Sequence, residues 1–146
     1  SHQLVPVLNQ PYDNDFEIMW VLLRPNLLPR PLSCLIIGVA YVPPWYNAEK
    51  LRLLKAYFLS SVDYFRSRYT NPGFIICGDF NTFNTEFFGS ALKFKLKVDK
   101  PTRGDRILDK FFTNCDFYYK QADILPPLGR SDHNVLFVYV AFRQAC

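Results

Sequence analysis

A mixed α/β (α+β) fold, one sheet with a helix packed on it, is what three features of this sequence predict. Apolar residues alternate over 16–22, and an almost wholly apolar run follows over 33–41. One long amphipathic stretch then occupies 47–69. Short apolar runs return from residue 74 onward. Strand, helix and strand early, with strands late, imply a mixed sheet covered by a helix.

Each element has its own reason. Phe16, Ile18, Trp20 and Leu22 alternate with other side chains, so a strand with one buried face is expected. Residues 33–41 (SCLIIGVAY) read as a central strand buried on both faces. Pro43-Pro44 ends it, because proline supplies no ladder donor. Asn47 suits an N-cap, and Glu49 places negative charge at the positive end of the helix dipole. Leu51, Leu54, Phe58, Val62, Phe65 and Tyr69 recur at three- and four-residue spacing, which is one apolar stripe. Arg66 and Arg68 fit the last turn, and Asn71-Pro72-Gly73 stops it. Residues 74–77 form another short buried strand, running into Gly78-Asp79. Beyond it, 85–92 reads as a short helix and 93–99 as either loop or strand. Residues 106–113, 117–122 and 134–142 read as three further strands.

Composition bounds the class. Hydrophobic residues make up 49% of the 146, and aromatics 17%, which excludes a disordered chain. No apolar run approaches 18 residues, so no membrane-spanning helix is expected. The net charge of +4 is compatible with an anionic partner but common among ordinary domains. No repeat or low-complexity linker divides the chain, so one domain over 1–146 is expected. The four cysteines have no C-x-x-C spacing. Cys34 and Cys77 lie in apolar runs, where a buried, reduced thiol is the plain reading. With no Asn-x-Ser/Thr acceptor either, an intracellular, reducing compartment is expected. The chain starts at Ser1 rather than Met, so a piece of a longer protein is expected.

Four places could carry chemistry. Asp79 and Asn81 stand where an apolar strand runs into Gly-Asp-Phe-Asn, and their spacing sends both side chains the same way if the strand stays extended. A plain turn is the competing reading. Asp132 and His133 precede the last strand and join a carboxylate to an imidazole. A surface turn is the competing reading there, weakened because the only other histidine, His2, is expected in a frayed terminus. Asp109 lies within an apolar strand, either facing solvent or as the buried partner that orients a histidine. Tyr41 ends a strand, either capping the core or offering its hydroxyl to a phosphate.

Taken in order, Tyr41-x-Pro43, Gly78-Asp79-Phe80-Asn81, Leu108-Asp109 and Ser131-Asp132-His133 resemble the endonuclease/exonuclease/phosphatase superfamily, whose fold DNase I and abasic-site endonucleases share. The resemblance spans about 16–140. Pro101-Thr102-Arg103-Gly104, then Ile107-Leu108-Asp109, Phe112-Thr113-Asn114 and Pro127-Leu128-Gly129-x-Ser131-Asp132-His133, narrow it to the endonuclease domain of non-LTR (LINE-type) retrotransposons. The resemblance implies the C-terminal two-thirds of a DNase I-like four-layer α/β sandwich, with a reverse transcriptase domain elsewhere in the same protein. It implies a Mg²⁺-dependent enzyme, with Mn²⁺ as a substitute, that nicks DNA and works in the nucleus.

Roles follow for the matching positions. Asp79 would orient or deprotonate the attacking water, and Asn81 would hold that water or the phosphate. His133 would contact the scissile phosphate with its ring held by Asp109, and Tyr41 would hydrogen-bond the phosphate. Asp132, with Asp79, would belong to the metal network. Carboxylate oxygens suit Mg²⁺, and the lack of a Cys/His cluster argues against zinc. The chain departs from the family in one respect: the principal metal ligand, a glutamate after an early strand, has no match here. Glu17 falls on a later strand and reads as solvent-facing, and Glu49 and Glu86 have no better claim. Weak Mg²⁺ binding, poor cleavage by the isolated chain and some exposed apolar sheet are therefore expected. The competing readings are a phosphatase of the same superfamily, acting on phosphoinositides or nucleotides, and an inactive remnant or binding module.

Overall fold

The computed structural model describes residues 15–140 and, as backbone, 2–4. Six strands form the main sheet: β1 (His2–Leu4), β2 (Glu17–Leu23), β3 (Leu35–Tyr41), β4 (Gly73–Asp79), β5 (Lys95–Leu96) and β6 (Asp109–Thr113). Their order is β1-β2-β3-β4-β6-β5. Among these strands only β3 and β4 pair in parallel, so the sheet is mixed, as the strand–helix–strand order implied. A parallel pair needs a long crossover, and α1 (Ala48–Arg68) supplies it. A short helix α2 (Glu86–Ser90) follows β4, and β7 (Asp123–Leu125) pairs with β8 (Val135–Phe137) in a separate two-stranded sheet.

The start of α1 is the one its residues dictate. The Asn47 side chain accepts the Lys50 amide at 2.8 Å, and Glu49 in the first turn pairs with Arg52. From the stripe, Leu54, Phe58, Val62 and Phe65 are buried against the sheet, and Tyr57 and Ser61 widen the buried face. The core beneath is mostly aromatic. Phe58 lies within ring-contact distance of Phe80, Phe87 and Phe88, and Phe88 stacks on Phe112 at 4.5 Å. Trp20 lies over Gly38, where a Cβ would stand 2.7 Å from the ring, and its indole N–H donates to the Tyr57 hydroxyl at 2.9 Å.

Several expectations need correction. The run 33–41 is not buried on both faces: α1 and α2 cover one side, leaving Val39 41% and Tyr41 37% exposed on the other, with Met19 at 52% beside them. Apolar sheet is thus exposed, as expected. The strand placed at 106–113 begins only at Asp109, because Arg103 and Arg106 bond each other's backbone across a tight turn at Gly104 (φ +58). Residues 117–122 do not form a strand. A single 3-10 turn, Asp116–Tyr118, takes their place, and the strand forms at β7 instead. The Tyr118 hydroxyl anchors that turn by donating to Arg30 O. The last strand is shorter than 134–142, and residues 141–142 lie outside the described ones. His2, expected in a frayed end, belongs to β1, paired with Leu23. Cys34, Cys77 and Cys115 are free thiols, and Cys34 is fully buried. No described helix is long and apolar enough to cross a membrane.

Candidate active site

The sheet register builds the first half of the site. Glu17 pairs with Tyr41, Tyr41 with Asp79, and Asp79 with Asp109, so these four lie in one row on the face that α1 leaves open. Asp79 is the last residue of β4 and Asp109 the first of β6. Gly78 just before it has φ +142, and a Cβ there would sit 1.8 Å from Ala40 O. Only glycine permits this bend and close approach.

The chain does not stay extended after Asp79. Asn81 takes φ +45, its amide donates to Asp79 Oδ1 at 3.0 Å, and its side-chain amide donates to Val42 O at 2.7 Å. Asn81 therefore does not point alongside Asp79 as the spacing predicted. It locks the loop after β4 onto the loop after β3.

His133 arrives from the loop before β8. That loop is pinned from both sides: the His133 amide donates to Ser131 Oγ at 3.1 Å, and the Asn134 amide to Thr102 O at 2.8 Å. The ring then reaches Asp109, with Nδ1 2.7 Å from Oδ2. A carboxylate only accepts, so Nδ1 carries the proton and Nε2 faces outward. Asp79 Oδ2 lies 3.7 Å from that Nε2 and Asp132 Oδ1 3.8 Å, both too long for hydrogen bonds. Asp79, Asp109 and His133 are largely enclosed, with side-chain exposures of 20%, 19% and 24%, whereas Asp132 is open at 65%.

These surroundings set the protonation. The hydrogen bond to Asp109 holds the His133 ring above the usual histidine range against partial desolvation, and the charges of Asp109, Asp79 and Asp132 add to the effect. Burial lifts the Asp79 carboxyl above its ordinary value. Asp109 pushes the same way, while the Asn81 amide, His133 and Arg103 pull it back. The site thus joins a histidine that favours its cation to a carboxylate of enhanced basicity.

Ligand atoms from Asp79, Asp109 and His133 all lie within 4.8 Å of one another. Asp132 lies outside that group and pairs with Arg103 instead, so of the two carboxylates expected at a metal only Asp79 belongs to it; carboxylate oxygens are the kind of donor Mg²⁺ takes. Tyr41 stands one strand from Asp79 on the same face, and Glu17 is exposed beyond it. A hollow of about 440 Å³ opens beside Asp109, walled by Cys77, Phe111, Leu136 and Val138.

Two contributors escaped the sequence reading. Thr102 is fully buried, and its hydroxyl accepts the amides of Leu108 (3.1 Å) and Asp109 (3.0 Å), fixing the start of β6. Arg103 pairs with Asp132 at 2.7 Å. Both belong to Pro101-Thr102-Arg103-Gly104, a segment that stands out in the sequence, but no spacing rule links residue 103 to residue 132. Compared with known proteins, the chain matches no family model, no curated protein and no solved structure.

Proposed function

We propose that this chain is part of a metal-dependent phosphodiester hydrolase, a DNA-nicking endonuclease domain of the non-LTR retrotransposon kind with a DNase I-like fold. One observation carries the reading. Asp79, Asp109 and His133, drawn from three segments far apart in sequence, meet at one end of the sheet within 4.8 Å. The motif order that resembles the superfamily supports the same reading, and so do the exposed Arg103, Arg106 and Arg130, which suit a polyanion.

The residues divide the work. Asp79, raised in basicity, takes a proton from the attacking water, with the Asn81 backbone amide donating to its Oδ1 and so fixing the carboxylate. His133, its ring fixed by Asp109, presents Nε2–H to the phosphate and offsets the charge that grows on its oxygens. Tyr41 offers a neutral hydroxyl on the same face. A divalent cation at the Asp79 carboxylate would supply further positive charge at the phosphate and ease deprotonation of the water.

The test is nicking of supercoiled plasmid in Mg²⁺ by a protein that contains this chain together with its upstream sequence. Nicking that Asp79→Ala and His133→Ala each reduce by at least about a hundredfold is the expected result. Wild-type nicking by either variant overturns the residue roles, and no nicking by the parent protein overturns the reading. Residues 1–146 alone should nick poorly; full activity from them overturns that expectation.

A further inference from the structure

Asp132 makes an unusual bridge. Its Oδ2 pairs with the Arg103 guanidinium at 2.7 Å, while its Oδ1 faces His133 Nε2 at 3.8 Å. One anionic group thus spans the Arg103 guanidinium and the outward nitrogen of the His133 ring. Two oxygens on one central atom, shared between these partners, are also what a phosphate presents. A guanidinium matches both anions through the same paired N–H donors.

The two ends of the bridge differ in how firmly they are held. Arg103 is rooted by its backbone, which exchanges hydrogen bonds with Arg106 (N to O 3.2 Å, and 3.0 Å in return), next to the buried Thr102 that positions Asp109. His133 is held by Asp109. Asp132 is 65% exposed and Arg103 48%, and such an exposed pair contributes little to stability. The bridging carboxylate can therefore turn aside while the Arg103 backbone and the His133 ring stay in place. Charge points the same way: Asp79, Asp109 and Asp132 would repel an incoming phosphate, and Arg103 is a permanent positive charge close enough to be felt at Asp79.

We infer that Arg103 is a substrate-phosphate anchor, and that Asp132 in the free protein occupies the place between Arg103 and His133 that the phosphodiester takes on binding. The inference rests on the phosphodiesterase reading for the identity of the anion, and it adds a specificity residue and a built-in competitor to that site.

Binding without turnover tests it. Inorganic phosphate is titrated into metal-free protein while nitrogen NMR follows Arg103 Nε and the His133 ring, and dimethyl phosphate serves as the simplest diester. Saturable shifts at both residues are expected. Arg103→Gln should weaken binding about tenfold or more, Arg103→Lys less, and Asp132→Asn should tighten it. The diester should rank the variants in the same order. Unchanged affinity in Arg103→Gln, weaker binding in Asp132→Asn, or no saturable shift in the parent protein overturns the inference. Phosphate binding of the expected kind without plasmid nicking leaves the anchor standing and overturns the nuclease. Nicking with an unaffected Arg103→Gln does the reverse.

Discussion

The two faces of the main sheet come from the same strands yet obey different rules. On the face under α1 and α2, Trp20, Leu22, Ile36, Phe74, Ile76 and Phe112 are buried and apolar, and aromatic rings fill the space between layers. On the other face, exposed Met19 and Val39 share the surface with Glu17, Tyr41, Asp79 and Asp109. The strand pleat sends neighbours along β2 or β4 to opposite faces. One face can therefore be packed for stability while the other holds ionisable groups that a packed core would reject. Gly78 lies at their junction, letting β4 end with Asp79 against its neighbours.

Adjacent residues break this contrast most directly. Trp20→Ala should cost about 3–5 kcal/mol in chemical denaturation, since it opens a cavity over Gly38 and removes the indole N–H that donates to the Tyr57 hydroxyl. Thr102→Val should cost about 1–3 kcal/mol, because a buried amide and a half-buried one lose their acceptor. It should also lower plasmid nicking, since Asp109 loses its support; unchanged nicking would show that the start of β6 holds without Thr102.

Asp109→Asn should act through His133. Asp109 raises the folded-state ring above its unfolded value, so its stabilisation is complete below about pH 6.5 and fades as pH rises through the raised folded value. The variant should drop the ring toward the ordinary histidine value by NMR titration. Its stability deficit, on the order of 1 kcal/mol, should be greatest near pH 6 and shrink in alkali. A deficit that grows with pH would contradict that linkage. Smallest of all, Met19→Lys, one residue from Trp20 on the open face, should shift stability by no more than about 0.5 kcal/mol. A loss comparable with Trp20→Ala would mean that this face is packed in solution.

Local rules made part of the molecule legible. The alternation around Trp20 foretold which face of β2 is buried, and Asn47 foretold the start of α1, because pleat, helical period and capping act over a few residues. The strands after residue 106 were misjudged where turn chemistry decided the outcome. The Gly104 turn keeps Arg106 out of β6, and the turn at Asp116–Tyr118 is held by Tyr118 bonding Arg30, 88 residues away. At Asn81 the turn wins over the extended reading for the same reason, since a left-handed backbone and a bond to Val42 override the strand period.

The sequence by itself determined the class of fold, the buried face of β2 and the kinds of chemical group available, all consequences of short-range periodicity and side-chain type. Tertiary structure alone decided that Asp79, Asp109 and His133 share one end of the sheet, that Thr102 props the strand bearing Asp109, and that Arg103 reaches Asp132. Strand register and loop hydrogen bonds bring these groups together, all but Thr102 and Asp109 across two dozen residues or more, and no local pattern encodes a contact of that range.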